Sequence, residues 1–457
     1  MVKILDEQIN KIHFIGIGGI SMSALAEIML NQGCIVSGSD RSSSKLTEKL
    51  KNKGATIYIG HSADNITDQQ LVVYTAAIPK DNPELLEAIK RNIPIMDRAE
   101  FLGLVMKKYK NSIAVSGTHG KTTTTSMISL ILYRAHLDPT IMIGGELDAI
   151  GGNLRIGDSE YFITEACEYK GSFLQFYPKI GIILNIDADH LDYYKDIEEI
   201  SQTFVKFSKN IAKDGILIGY AEDKRVKQIL QSSGVQILSY GIDEGTLRAS
   251  NISYNERGCA EFDVVKNNEI LGRIRLNVPG KHNILNSLAA ICCTLSLGID
   301  FETIKDSLYE FTGTHRRFEK KGVKNGITVI DDYAHHPTEI KATIQAAKNY
   351  PHKKLYCIFQ PHTYTRTLTL FDEFSKAFNG VDKLILTDIY AAREKDLGLV
   401  NSKMLADAVK NNGVDVIYIK EFEEIIKYIE KNLSDGDVVI TMGAGDVYKI
   451  GEEFLKG

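Results

Sequence analysis

Short apolar runs alternate with amphipathic stretches along most of the chain. "KIHFIGIGG" (11–19) is an apolar run that stops in glycines. "SMSALAEIMLNQG" (21–33) then repeats its apolar positions at helical spacing until Gly33. The first pattern predicts a buried strand and the second a helix that carries the chain back to a parallel neighbour. "CIVSGSD" (34–40) and "LVVYTAAIP" (71–79) read as further strands, and "NPELLEAIKRN" (82–92) as a further helix. The alternation predicts a parallel sheet covered by helices.

After "LVMKKYKN" (104–111) the pattern restarts. "SIAVSG" (112–117) is a strand, "TTTTSMISLILYRA" (122–135) a helix, and "SEYFITEA" (159–166) and "KIGIILNI" (179–186) are buried strands. "NILNSLAAICCTLSLG" (283–298) is a helix closed by Gly298. A third restart follows Arg317, with strands at "ITVIDDYA" (327–334), "KKLYCIFQ" (353–360), "KLILTDI" (383–389), "DVIYI" (415–419) and "DVVITMGAGD" (437–446). The expected fold is α/β with three domains, 1–108, 109–313 and 314–457, each built on a largely parallel sheet. The first and last are read as Rossmann-like and the middle one as P-loop-type. No internal repeat or low-complexity segment is present.

Composition narrows the class little but excludes some partners. The chain has 457 residues, 44% hydrophobic and 25% charged, with a net charge of -5. That balance disfavours nucleic acid. No apolar run reaches the roughly 18 residues of a membrane span. The start, "MVKILDEQIN", carries acids and lacks the apolar core of a leader peptide. Six cysteines, Cys34, Cys167, Cys259, Cys292, Cys293 and Cys357, contain no C-x-x-C pair. The expectation is a cytoplasmic protein whose thiols are mostly small buried hydrophobes.

Two glycine turns carry the candidate chemistry. Gly16, Gly18 and Gly19 lie between a strand and a helix, with Asp40 ending the next strand where an acid could take a ribose hydroxyl. Ser21 stands where a dinucleotide fingerprint has its third glycine, so a ligand-free tight turn stays open as the alternative. "AVSGTHGKTTTT" (114–125) supplies the G-K-T end of a phosphate loop, yet Val115 stands where the usual loop has its first glycine. Lys121 suits a phosphate, Thr122 a Mg²⁺ ion, and the helix start offers free N–H groups. Thr122 to Thr125 favour capping over helix interior, which suits that start. Glu165, Asp187, Asp189 and Asp192 offer oxygen ligands nearby. His190 by its chemistry reads first as a structural or acid–base histidine.

Taken together these segments resemble the Mur ligase family, the ATP-dependent amide-forming enzymes of peptidoglycan precursor synthesis. "HFIGIGGISMSALA", "SGTHGKTTTT", "NIDADHLDYY", "PGKHNILNSLAA", "TGTHRRFE", "DDYAHHPTEI", "FQPHTYTRT" and "MGAGD" follow the family's motifs in order. The resemblance implies a UDP-sugar-binding first domain, an ATP-binding central domain and a C-terminal ligase domain. It implies an enzyme that joins L-alanine to the lactyl carboxylate of UDP-N-acetylmuramate through an acyl phosphate, with no nucleic acid or membrane partner. ATP and two Mg²⁺ ions are the implied cofactors, with Mn²⁺ as the substitute.

Residue by residue, the resemblance puts Gly16, Gly18, Gly19, Ile20, Ser21 and Asp40 on the UDP-sugar. It puts Gly117, Thr118, His119, Gly120, Lys121, Thr122 and Thr123 around the ATP phosphates, and Asn283 and Asn286 toward the adenine. Arg317 reaches the phosphates from the third domain, and Asp332 takes the ATP ribose. Thr122 becomes the ligand of one Mg²⁺ and Glu165 and His190 those of a second, which replaces the bland reading of His190. Lys121, Glu165, His190 and Arg317 form the catalytic set, and Tyr333, His362 and Arg366 line the cleft for the carboxylate and the amino acid. A linker near 313–316 is the expected hinge.

Each motif keeps a plainer alternative by pattern alone. Arg316 and Arg317 could be a solvated pair, Asp331 and Asp332 turn residues, "HHP" a helix entry and "MGAGD" an ordinary turn. Two positions depart from the family. Cys167 replaces an acid, and Thr363 stands where an arginine is frequent. Sister ligases use a modified lysine near the metal; Lys206 lies in that region and is not assigned a role.

Overall fold

A computed structural model describes residues 2–4, 7–392 and 394–457. A short antiparallel pair, Val2–Ile4 with Glu7–Ile9, precedes three α/β domains, each with its own sheet. The first sheet has five strands, all parallel. Lys11–Ile15 lies at its centre, between Ile35–Asp40 and Leu71–Tyr74. The helix that follows its glycine turn spans Ile20–Asn31 and ends before Gly33, whose φ of +81° suits a glycine.

The central sheet has ten strands and is mostly parallel. At its middle, Asn111–Ser116 runs parallel between Tyr161–Glu165 and Ile180–Ile183. The far edge is an antiparallel run of Leu247–Tyr254, Cys259–Lys266 and Glu269–Pro279, which the apolar pattern had not singled out. Their alternating buried and exposed positions mark a sheet wetted on one face, a weaker signal than a continuous apolar run. The third sheet has six strands. Ile327–Asp332, Val438–Met442, Leu355–Phe359, Lys383–Leu386 and Val416–Tyr418 are parallel, and Glu319–Lys324 adds an antiparallel edge.

The first and central domains share one apolar core. Phe101, Leu102, Val105 and Met106, on the helix Arg98–Met106, belong to the same buried cluster as Phe162, Phe173, Phe176 and Phe204 of the central domain. A Cβ at Gly103 would sit 2.0 Å from the Gln175 carbonyl oxygen, so only glycine lets the two backbones approach this closely. Phe173 is stacked on Phe207 at 4.8 Å and meets Phe204 edge-on at 5.1 Å. The third domain has clusters of its own, against which one central-domain side chain, Leu191, packs partly buried. Among the described residues no helix is long and apolar enough to cross a membrane. All six cysteines are free; Cys34, Cys259, Cys292, Cys293 and Cys357 are buried, and Cys167 is half-buried.

Phe173→Ala removes a fully buried ring at this junction and should cost about 3–5 kcal/mol. Denaturant unfolding followed by tyrosine fluorescence measures it. A loss below about 1 kcal/mol would mean that the junction is not a packed core.

Candidate active site

The phosphate-type loop sits where the central strand ends. Val115 is inside that strand, paired with Glu165 on one side and Ile182 on the other, so a β-branched residue belongs there. The strand runs on through Ser116, and the turn is confined to 117–120. Gly117 has φ +132°, and a Cβ there would lie 2.9 Å from the Leu184 Cβ. Gly120 has φ +85°, and a Cβ there would lie 2.5 Å from the Asn286 Oδ1. The helix Lys121–Arg134 starts directly after Gly120 with no side-chain cap. The four threonines therefore do not cap it as expected. They lie inside its first turns, and the hydroxyls of Thr124 and Thr125 are buried without a partner. An uncapped start leaves its N–H groups for a ligand.

Residues 184–187 brace the loop from the next strand. The Asn185 side chain accepts from the His119 N–H at 2.8 Å and donates to the His119 carbonyl at 3.0 Å. The Asp187 N–H donates to the Thr118 hydroxyl at 2.9 Å. Lys121 Nζ donates to the carbonyls of Gly117 and Thr118 and lies 3.1 Å from the Glu168 carboxylate. Burial works against its charge, but Glu168 and the neighbouring acidic groups hold its pKa above the ordinary lysine value. Glu165 accepts from the Gly144 N–H at 2.7 Å. His190 Nε2 lies 3.8 Å from carboxylate oxygens of both Glu168 and Asp189. Thr122 is buried in the first helical turn. Glu168, the last residue of "EACE", was not singled out from sequence, although it is the carboxylate that pairs with Lys121. Its position three residues beyond Glu165 was the available signal. Lys206 is exposed on the helix Ile197–Lys209.

Beyond the loop lies a cavity of about 350 Å³ between the central and third domains. His119, Gly120, Thr123, Asn283 and Asn286 line it from one side, and Arg317 and Asp332 from the other. Asn286 donates to Asn283 Oδ1 at 3.0 Å, and Asn283 donates to the Pro279 carbonyl at 2.7 Å. Tyr220 and Tyr240, which sequence reasoning missed, add aromatic wall. Asp332 accepts from the N–H groups of Phe318 (2.9 Å) and Ala334 (2.7 Å), and burial pushes its pKa up to about 6. The paired arginines do different work. Both lie over the Tyr333 ring, but Arg316 bonds Asp331 at 3.0 Å and the Gly443 carbonyl at 2.6 Å, whereas Arg317 faces the cavity.

The third domain carries a second group of polar side chains toward the central one. His336 caps the helix Pro337–Lys348, with Pro337 in its first turn, so "HHP" is a helix entry. The same entry sets His335 beside Tyr333, with ring centroids 5.5 Å apart, and beside His362 at 5.8 Å. Arg366 Nη1 is 3.2 Å from His362 Nδ1, and its Nε and Nη2 donate to Asp189 at 3.1 and 3.0 Å. Burial pushes His362 down to about 3 and His335 to about 4, so both rings are neutral at pH 7. Thr363 adopts φ +68°, an uncommon conformation for a β-branched residue, at the start of the helix Tyr364–Thr369. In "MGAGD", Gln360 fills the turn and accepts from the N–H groups of Asp446 (2.9 Å) and Val447 (3.2 Å).

The first glycine turn is separate from this cavity. The N–H groups of Gly16 and Ile17 donate to the Ser39 carbonyl at 2.8 and 3.0 Å. Asp40 accepts from the Gly18 N–H at 2.8 Å. A Cβ at Gly18 would lie 2.8 Å from Asp40 Oδ2. The helix begins at Ile20, with Gly19 before it and no side-chain cap; Ile20 is exposed and Ser21 half-exposed in the first turn.

Comparison with known proteins defines the class. Three family models cover the chain: "Mur ligase family, catalytic domain" at residues 11–110, "Mur ligase middle domain" at 115–294 and "Mur ligase, glutamate ligase domain" at 316–445. The chain belongs to the Mur ligase family. Among its relatives, the UDP-N-acetylmuramate--L-alanine ligase of Clostridium acetobutylicum is 62% identical over 98% of this chain and 97% of its own. Among solved structures, the UDP-N-acetylmuramate-alanine ligase of Thermotoga maritima is 34% identical with a TM-score of 0.82, covering 98% of both chains. A murein peptide ligase of Psychrobacter arcticus is 26% identical with a TM-score of 0.71, covering 97% of this chain and 98% of its own.

Gly120→Ala should weaken binding of an ATP analogue at least tenfold, because the new methyl group collides with Asn286 and the left-handed backbone costs about 1–2 kcal/mol. Calorimetric titration measures it. Unchanged affinity would mean that the loop does not cradle phosphate.

Proposed function

We propose that the protein is the ATP-dependent ligase that joins L-alanine to the lactyl carboxylate of UDP-N-acetylmuramate, releasing ADP and phosphate. The observation that carries this reading is the full-length likeness to the C. acetobutylicum enzyme. The cleft supports it chemically. A carboxylate and a triphosphate repel each other, and cations must converge from both sides to let them meet. Lys121 comes from the central domain, Arg317 and Arg366 from the third. The division into 1–108 for the UDP-sugar, 109–313 for ATP and 314–457 for the ligase domain follows the three sheets.

The carboxylate attacks the γ-phosphate, ADP leaves, and the resulting acyl phosphate takes the alanine amine at its carbonyl carbon as phosphate departs. Lys121 and Arg317 stabilise the charge that builds on the phosphates, with loop N–H groups beside them. Asp332 holds the ribose, and Asn283 and Asn286 border the adenine end. Gly16, Gly18, Gly19, Ile20, Ser21 and Asp40 form the turn that receives the UDP-sugar. The amine must be neutral to attack; His335 donates its Nδ1–H to the Tyr333 carbonyl at 3.0 Å and keeps Nε2 as an acceptor in the cleft, whereas His362 Nδ1 already accepts from Arg366. Tyr333, His362 and Arg366 line the place where carboxylate and amine meet.

Thr122 would hold one Mg²⁺ and Glu165 with His190 a second, with Mn²⁺ as a substitute. The donor set fits: a hydroxyl and carboxylates flank the phosphate loop, and Glu168 adds another oxygen beside Lys121. Bound metal supplies charge neutralisation on the phosphates.

Phosphate release with ATP, Mg²⁺ and UDP-N-acetylmuramate tests the reading. L-Alanine should be required, with Gly, D-Glu and a preformed tripeptide far weaker; preference for the tripeptide would overturn it in favour of a murein peptide ligase. Lys121→Ala should lower kcat by about 10²–10³-fold. His190→Ala should raise the Mg²⁺ concentration needed for half-activity, and an unchanged titration would return His190 to a structural role.

A further inference from the structure

The third domain meets the phosphate loop through charge. His119, the loop's histidine, points both ring nitrogens at carboxylates: Nε2 lies 3.0 Å from Asp187 Oδ2 and Nδ1 3.2 Å from Glu339 Oε1. Two acceptors require two N–H donors, which only the imidazolium has. Glu339 belongs to the third domain, and its other oxygen accepts from the N–H groups of His335 (3.1 Å) and His336 (3.3 Å). The same carboxylate therefore closes the capping box of the helix Pro337–Lys348 and grips the loop. Asp187 accepts from the Thr338 hydroxyl at 2.7 Å, and His336 Nε2 lies 3.1 Å from the Ala188 carbonyl.

His119, Asp187 and His336 bring ligand atoms within 4.8 Å of one another, a spacing that a transition metal could use. The hydrogen bonds favour a different role. His336 accepts from the Thr338 N–H through Nδ1 at 3.2 Å and meets Ala188 through Nε2, and His119 has both nitrogens on carboxylates. The nitrogens a metal would need are already engaged in joining two domains.

We propose that His119 is a positioning residue: its imidazolium latches the phosphate loop to Glu339 and so aligns the third domain on the nucleotide. Glu339 and Asp187 border the nucleotide cavity. Without His119 both carboxylates would lose their cationic partner beside the phosphates, Asp187 keeping the Thr338 hydroxyl and Glu339 the N–H groups of His335 and His336. The latch thus serves both closure and charge balance. It rests on the proposed ATP reading of the loop.

The charged and titratable groups around the ring are Asp187, Glu339, His336, His282, Arg317 and His335. Burial opposes protonation of His119, but its bonds to Asp187 and Glu339 raise its pKa to about 9. A raised histidine pKa means that the contact is fully present below the ordinary value of about 6.5 and is lost as pH rises through 9.

Small-angle scattering and analogue titration test the latch on the full chain, with a non-hydrolysable ATP analogue and Mg²⁺ at pH 7 and pH 9.5. The wild type should compact with the analogue at pH 7 and less at pH 9.5. His119→Gln should bind the analogue at least tenfold more weakly and lose the pH dependence of compaction. Glu339→Gln alone should lose the same pH dependence, which guards against a folding defect peculiar to one variant. Glu339→Gln added to His119→Gln should recover part of the affinity but not the compaction. Near-wild-type affinity and compaction in His119→Gln would overturn the proposal. If the analogue does not bind the wild type, the ATP reading fails on its own. The latch is then judged by size without nucleotide at pH 7: a His119→Gln protein larger than wild type supports it, and an equal size overturns it.

Discussion

Two kinds of contact hold the central domain to its neighbours, and the difference between them governs the molecule. Toward the first domain the contact is a shared apolar core, with Phe101 and Phe173 in one buried cluster. Toward the third it is mostly polar: His119 with Glu339, Asp187 with Thr338, Asp189 with Arg366. Separating an apolar core exposes its whole area to water. Separating hydrogen-bonded partners exchanges protein bonds for water bonds at a smaller net cost, about 0.5–1.5 kcal/mol for a neutral pair and about 1.5–3 kcal/mol where a charged group takes part. The first domain is therefore held by the costlier interface to separate. The cavity lies at the polar seam between the central and third domains, where the proposed nucleotide would sit shielded from water.

The two glycine turns use the same local physics. Each ends a central parallel strand, each needs a positive φ, and each leads into a helix without a side-chain cap. Other helices, those after Ser44, Asn82, Asp97 and Asp196 among them, have a side chain accepting the first N–H groups, whereas His282–Ser296, Phe422–Asn432 and Tyr448–Lys456 also start without one. An uncapped start costs stability and leaves donors for anions.

Much of this was legible in the sequence because it depends on local pattern. Apolar runs located the central strands of the first two sheets and all five parallel strands of the third, and Gly33 and Gly298 marked helix ends; Thr56–Ile59, Ile95–Asp97, Thr140–Leu147, Ile216–Tyr220 and Gln236–Gly241, shorter or more polar, were not singled out. The antiparallel edge of the central sheet was not legible, since its strands are half wet. The short loop at Val115 became intelligible only with the strand pairing, which shows that the position is sheet interior rather than turn. Lys121 was readable from the G-K-T spacing, whereas Arg317 and Asp332, which line the cavity, came from the family resemblance. Glu168 and Glu339 were not, because each gains its partner through contacts far apart in sequence: Lys121 for one, His119 for the other. Arg316 and Arg317 looked alike as neighbours, and only tertiary structure separates the buried ion pair of one from the cavity-facing position of the other.

Gly103 bears on how such a chain can be rearranged. Where a helix of one domain runs its bare backbone against the Gln175 carbonyl of the next, no side chain can be admitted. The first two domains are thus matched pieces, and a gene exchange that replaced either alone would bring together surfaces never fitted to each other. The third domain, met mainly through hydrogen bonds and ion pairs, presents a seam that makes fewer such demands of shape on its partner.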